Sequence, residues 1–225
     1  MDINKVTEKF NQALKEAKQE VKARTVKTVS ISNKNSKMGE VASVSTLPLI
    51  TCPARCKGTC GPDCYAAKLA NLRPQVLKSY ARNTALLMLR PELYWQGINY
   101  AMAGVRFFRF HVSGDILNSE YFENMIQAAR NNGHCEILAF TKRFEIVNAW
   151  IRENGPLPSN LHILFSGWQN LKPVNPYKLP ETNVFGKEGP KEDWKVCGGN
   201  CFSCACRGLG CWKATTGDIV AFRKH

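Results

Sequence analysis

Several signatures are missing from this chain, and each absence removes a class of chemistry. No G-x-x-x-x-G-K-S/T occurs, so there is no standard ATP-binding loop. No G-x-G-x-x-G follows a strand, which removes the usual dinucleotide fingerprint. Histidine is scarce: His111, His134, His162 and His225 are the full set. They form no H-x-H pair and no H-E-x-x-H. That argues against the paired-histidine site of rolling-circle replication nucleases and against zinc peptidases of that type. No apolar run reaches membrane-spanning length, so no membrane partner is expected. The opening stretch MDINKVTEKFNQALKEAKQEVKAR lacks the apolar centre of a secretory signal, which makes a reducing cytoplasm the expected location. Acidic residues are also few, 18 against 31 Lys and Arg, for a formal charge of +13. Such a surface attracts phosphates, so nucleic acid is a candidate partner. The alternative is a basic surface that is simply solvated, because no basic run is long enough to decide.

Cysteine, by contrast, is abundant. Nine of the ten fall in two groups, Cys52, Cys56, Cys60, Cys64 and then Cys197, Cys201, Cys204, Cys206, Cys211. Only Cys135 stands apart, beside the apolar run EILAF, where it reads as a small buried hydrophobe. A chain of 225 residues can bury a full core without disulfide staples. Clustered thiols in a reducing compartment point to metal ligands. The first group, TCPARCKGTCGPDCYAAK, repeats every fourth residue like a helical stripe, yet Pro53, Gly58, Gly61 and Pro62 interrupt it. A tight loop around a metal or cluster satisfies both features. Zinc sites favour C-x2-C knuckles, which the first group lacks and the second has once, at Cys201 and Cys204. Thiolate-only ligation suits either metal. Iron–sulfur is therefore the expectation for the first group, with zinc the alternative, and the second group is open to both.

Periodicity organises the rest. Val6, Phe10, Leu14, Ala17 and Val21 recur at helical steps, so residues 1–25 are expected to be an amphipathic helix. VKTVSISN (26–33) and VASVST (41–46) alternate as strands around a basic turn, KNSKMGE. Three helices follow the cysteine loop, two of them opened by Pro74 and Pro91. The middle is the clearest stretch: strand 105–112, a helix capped by Asn118, strand 135–140, helix 144–154, strand 161–166. Such β-α-β-α-β order builds a parallel sheet. The expected fold is α/β, a partial parallel barrel core over 26–169. An irregular, cysteine-rich C-terminal extension is expected over 170–225, with GDIVAFRK as a last strand.

Parallel sheets bind ligands at the carboxyl ends of their strands. Those ends carry His111, Ser113, Gly114 and Asp115, then Thr141, Lys142 and Arg143, then Ser166, Gly167, Trp168 and Gln169. Asp115 and Lys142 are the candidate catalytic pair. Ser113, Gly114, Asp115, Lys142 and Trp168 are candidate cofactor-binding residues. The candidate metal ligands are Cys52, Cys56, Cys60, Cys64, Cys197, Cys201, Cys204, Cys206 and Cys211. Taken singly, Ser113 and Asp115 read equally as turn residues, and His111 as a satisfied strand residue.

The segments NSKMGEVASVSTLPLITCPARC, CYAAKLANLRPQVLKSYARN, FRFHVSGDI and AFTKR together resemble the phage and plasmid "gene product 88" family, over about residues 33 to 212. That resemblance implies a gene of a phage or other mobile element and brings no activity with it. More distantly, the order of parts is similar to radical S-adenosylmethionine enzymes, which have a partial barrel and cluster cysteines after the first strand. There, the stretch in the position of VSGD (112–115) holds the cofactor's amino group. The usual C-x3-C-x2-C differs from the C-x3-C-x3-C-x3-C here, and the acidic residue is Asp instead of Glu. A fourth thiolate closes the iron that S-adenosylmethionine needs, unless it serves elsewhere.

Three functions follow as expectations. The first is an iron–sulfur enzyme with two 4Fe–4S clusters, doing reductive or radical chemistry, with a reductant, on a small or macromolecular substrate. The second is a metal-stabilised, basic nucleic-acid-binding protein. The third is an electron-transfer protein. The fourth cysteine of the first loop bears on the choice, because a closed site disfavours radical chemistry.

Overall fold

The computed structural model describes residues 1–35 and 38–224. Ser36 and Lys37, in the turn expected over 34–40, and His225 lie outside the described residues. Helix α1 (Ile3–Lys22) starts where the Asp2 carboxylate accepts from the backbone N–H groups of Asn4 and Lys5, and it buries Val6, Phe10, Leu14, Ala17 and Val21. These are the five positions that its periodicity marks. Strands β1 (Ile31–Ser32) and β2 (Ala42–Val44) are shorter than their alternation predicts. Helices α2 (Tyr65–Leu72), α3 (Pro74–Leu89) and α4 (Pro91–Ala103) follow, the last two opened by proline as expected.

The alternating centre is present: β3 (Phe107–Phe110), α5 (Ser119–Asn131), β4 (Glu136–Thr141), α6 (Phe144–Asn154) and β5 (Leu161–Ser166). The Asn118 side chain accepts from Tyr121 N–H, as its capping position predicts. Beyond residue 170 the expectation of irregular chain needs correction. Strand β6 (Glu181–Phe185), the short β7 (Lys195–Val196) and helix α7 (Cys201–Arg207) form there, and β8 (Ile219–Arg223) is the last strand expected from GDIVAFRK. Four prolines between 173 and 190 masked β6 in the sequence, because proline density reads as loop.

All eight strands join one sheet, in the order β1-β2-β3-β4-β5-β6-β8-β7. Among the strand pairs of the described residues, only β1–β2 is antiparallel. From β2 to β7 every pairing is parallel, and the sheet is open. The expected partial barrel is therefore an open, mostly parallel sheet. The C-terminal extension adds strands to that same sheet.

Strand alternation sorts side chains onto two faces. Phe108, Phe110, Ile137, Ala139, Leu161, Ile163 and Phe165 enter the main core with the helices. Phe107, Leu138, Leu164 and Val220 point to the other face, where Met38, Val41, Ala205 and Trp212 cover them. The cysteine-rich C-terminal segment is thus the lid of that second face.

His111 ends β3 with a left-handed backbone, φ 58°. Its Nε2 pairs with the Tyr121 hydroxyl at 3.0 Å, while Nδ1 is buried without a partner among the described residues. Burial, and then the Arg109 charge, pull its pKa down from 6.5 to about 3. The unfolded chain therefore takes up a proton that the fold refuses. The stability due to neutral His111 is complete above pH 6.5 and drains away as pH falls toward 3. In urea titrations, His111→Asn, which tolerates positive φ, should flatten the pH slope in this window by up to about 1.4 kcal/mol per pH unit.

Candidate metal centre at the carboxyl edge of the sheet

The chain leaving β2 turns sharply at 47–51 and enters the first cysteine loop. Two short 3-10 turns, Ala54–Lys57 and Gly61–Asp63, wind that loop. Pro53 and Pro62 fix the backbone where each turn starts. Gly61 has no room for a side chain: a Cβ there would stand 2.7 Å from the Cys56 carbonyl oxygen. Cys64 caps α2, accepting the Ala67 N–H at its sulfur, 3.4 Å away. The stripe of four cysteines is thus a coil of two turns that ends on a helix.

The first three thiols are neighbours. Contacts with Cys52 and Cys60, then burial, push the Cys56 thiol far up. The Cys60 thiol falls to about 6, mainly through Cys56, with the Lys142 ammonium adding to the effect against burial. Burial raises Cys64 to about 11, and charges on Cys52 and Cys60 raise it further. Backbone N–H contacts to sulfur and an all-thiol donor set suit an iron–sulfur or other thiolate-bound metal centre. Among the described residues no three His, Cys, Asp or Glu side chains are already arranged to hold a single metal ion. Ligation therefore requires the loop sulfurs to draw in around the group they bind.

Strand ends surround this loop, as the parallel topology predicts. The Asp115 carboxylate is only 5 % exposed. It accepts from Thr141 Oγ1 at 2.6 Å, Lys142 N–H at 2.9 Å and Ile116 N–H at 2.8 Å. Burial still raises its pKa against those bonds. Ser113 Oγ donates to the Thr46 carbonyl at 3.0 Å. Gly114, at φ 86°, packs so closely that a Cβ would lie 2.0 Å from Thr46 Oγ1. These three residues tie the loops after β2, β3 and β4 together, with their polar groups turned to protein partners.

Lys142 and Trp168 differ, because they lie near the cysteine loop, where the Lys142 charge acts on the Cys60 thiol. Lys142 is 9 % exposed, and its ammonium donates to Ser166 Oγ at 2.6 Å. Among the described residues it makes no ion pair. It lies 6.0 Å from the centre of the Trp168 ring, as does Lys224 Nζ from the far end of β8. Lys224 in turn pairs with Asp63 of the cysteine loop at 2.8 Å. Arg55 pairs with Glu145 at 2.8 Å, and Arg143 reaches the Thr51 carbonyl at 3.4 Å. The loop is thus pinned to the sheet edge at three points. Sequence reading missed Asp63, Lys224 and Thr51. Lys224 could have been found by applying the strand-end rule to the last strand.

The second group gathers elsewhere, on the lid of the other sheet face. Cys201 and Cys204 stand on α7, Cys197 just beyond β7, and Cys211 in the 3-10 turn Gly210–Trp212. Burial, and then charge on the neighbouring cysteines, raises the Cys204 and Cys211 thiols, Cys211 to about 12. Cys206 is exposed on the other side of α7. The nine expected ligands therefore divide into four at the mouth, four on the lid, and one outside both. A cavity of about 500 Å³ between α1 and α2, lined by Lys5, Lys9, Lys68 and Leu72, touches none of these cysteines.

Gly114→Ala should cost about 2–4 kcal/mol in chemical denaturation, since it combines positive φ with a clash against Thr46. Ser113→Ala, which loses one buried bond, should cost about 1 kcal/mol.

Among the described residues no helix is long and apolar enough to cross a membrane. No curated relative and no solved structure is significantly similar to the chain. The sequence profile described as "Gene product 88" matches residues 6–187, a span that includes most of the N-terminal helix, the first cysteine loop and every strand end from β2 to β6. The chain belongs to the Gene product 88 family.

Proposed function

We propose that this protein carries an iron–sulfur centre on Cys52, Cys56, Cys60 and Cys64, placed for redox chemistry at the carboxyl edge of the sheet, and a second metal–thiolate centre on Cys197, Cys201, Cys204 and Cys211. One observation carries the reading. A four-thiol loop is pinned beside a buried ammonium, Lys142, which donates to Ser166 Oγ, makes no direct ion pair among the described residues, and acts on both the Asp115 carboxylate and the Cys60 thiol by its charge. A buried cation is costly unless an anion compensates it. Clustered cysteinates supply that anion once they bind metal.

The roles of the chain's own residues follow. Lys142 stabilises negative charge on the loop and turns its remaining N–H donors toward the mouth. Asp115 is a positioning residue, holding Lys142 and the loop base in register. Trp168, Lys224 and Ser166 form the wall against which a substrate would sit. When bound there, an iron–sulfur cluster supplies electrons one at a time. Whether S-adenosylmethionine joins it depends on one of the four thiols leaving an iron open.

The net charge of +13 favours a second reading, a basic nucleic-acid binder whose metals are structural. That reading predicts strongly salt-dependent DNA or RNA binding, and unfolding of the protein on metal removal.

Anaerobically purified protein should be brown and contain iron with acid-labile sulfide. Cys56→Ser should lose the iron and sulfide held by the first loop, and Lys142→Met should keep them while lowering the reduction potential, because the ammonium favours the more negative, reduced state. Electron paramagnetic resonance with and without S-adenosylmethionine reports whether an iron is open: a changed signal supports radical chemistry, and an unchanged one supports electron transfer. Colourless protein with stoichiometric zinc and no sulfide would sink the iron–sulfur assignment.

A further inference from the structure

We propose that the second cysteine group is a structural staple: a closed thiolate site for a thiophilic metal ion or cluster, with Arg109 as its counter-cation, which locks the C-terminal segment onto the sheet. This rests on reading Cys197, Cys201, Cys204 and Cys211 as a metal centre, and it assigns that centre a task different from the one at the mouth.

Arg109 carries the first half of the argument. It interrupts an otherwise apolar strand, FFRF, and is half-buried against the lid. Its guanidinium lies 4.5 Å over the Phe140 ring. Its Nη1 approaches Met38 Sδ at 3.5 Å and Cys201 Sγ at 3.7 Å, and its Nε is buried without a partner among the described residues. Among those residues Arg109 makes no ion pair. A guanidinium cannot shed its charge at neutral pH, so a site of this kind calls for an anion. Cys201 is the ionisable group it touches, and a metal held by four cysteinates carries net negative charge.

The cradle around the sulfurs supplies the second half. Gly199 N–H points at Cys197 Sγ from 3.4 Å. A Cβ on Gly210, where φ is 58°, would sit 3.5 Å from Cys204 Sγ, and one on Gly198 would sit 3.9 Å from it. Exposed glycine backbone therefore flanks Cys204 on two sides at ordinary contact distance. C-x2-C spacing on a short helix with two flanking cysteines is the donor set of a four-thiolate site, and, as at the first loop, the sulfurs would have to draw together around the metal they bind.

The lid has little else to hold it. Helix α7 spans seven residues and β7 two. Two backbone bonds tie it to the sheet and its neighbours, Cys197 N–H to the Ala221 carbonyl and Phe202 N–H to the Met38 carbonyl, while the Trp212 indole N–H donates to the Cys201 carbonyl within the lid itself. Its apolar cluster is a fraction of the main core. A metal bond network in this position gives the segment the order that its short elements cannot.

The test uses the full chain with metal analysis, chelator challenge by EDTA, and limited proteolysis. Cys52→Ser/Cys56→Ser removes the mouth centre and should leave one centre's metal, with the C-terminal segment still protected. If that variant holds no metal while wild type does, the staple is refuted and the mouth centre stands. If it holds metal while wild type shows no iron or sulfide, the iron–sulfur reading fails and a zinc staple stands. Arg109→Met keeps the packing stem but not the charge. It should release the second centre's metal at least about 10-fold faster to EDTA, roughly 1.4 kcal/mol of lost stabilisation. Arg109→Lys should restore most of the difference. Cys201→Ser/Cys204→Ser should open 187–217 to protease while residues 1–186, with β8 still paired to β6, persist as a resistant core. Equal release rates for the Arg109→Met variant and the wild-type chain, or a cysteine variant as protected as wild type, overturns the proposal.

Discussion

The bonds around the Asp115 carboxylate set the geometry of the functional edge. One oxygen takes Thr141 Oγ1 and Ile116 N–H, and the other takes Lys142 N–H. Asp115 N–H meets Thr51 Oγ1, which bonds back to the Leu47 carbonyl. This one buried acid thereby sets the spacing of the loops after β2, β3 and β4. The base of the first cysteine loop and the emergence of Lys142 both follow from it. Because water is excluded, each of these bonds is worth more than its surface counterpart, and each would be costly to leave unmade. The tight contact of Gly114 with Thr46 is the steric side of the same constraint.

The sheet separates two cysteine groups with different surroundings. The first lies at the strand ends, near Lys142, Lys224, Trp168 and Ser166. The second lies flat against apolar side chains of β3, β4, β5 and β8, with exposed glycine backbone flanking Cys204. Each group has one cation without a direct ion pair among the described residues, Lys142 for the first and Arg109 for the second. Exposed lysines are solvated and need no such explanation. Lys142 is buried and Arg109 half-buried, and in both cases thiols are among the neighbouring groups that can take negative charge. The same electrostatic requirement thus recurs at two sites whose shapes suit different tasks, chemistry at the edge and cohesion on the lid.

Much of this was legible in the sequence, for identifiable reasons. The five apolar positions of α1, the Asn118 cap, and the units from β3 to β5 obey strong periodicity. Parallel topology then places Asp115, Lys142 and Trp168 at one edge without any further information. Strand β6 was hidden among prolines, and α7 among cysteines and small residues, since both are specified by pairing with distant chain and not by local propensity. The sequence could not show that Asp115 faces inward to backbone donors and not outward to a ligand, which depends on where Thr141 and Ile116 fall. Arg109 did leave a trace, as a lone charge within FFRF, but a charge in a strand names its partner only once the opposing layer is known.

The central claim is that the loop of Cys52, Cys56, Cys60 and Cys64 holds an iron–sulfur centre at the sheet edge. X-ray absorption at the iron edge tests it most directly, on anaerobically purified protein carrying Cys201→Ser and Cys204→Ser so that only the first loop is read. The expected spectrum shows a sulfur shell at about 2.3 Å, the ordinary metal–thiolate distance, with iron–iron scattering behind it. Iron at background level, or a shell of nitrogen and oxygen alone, would contradict it.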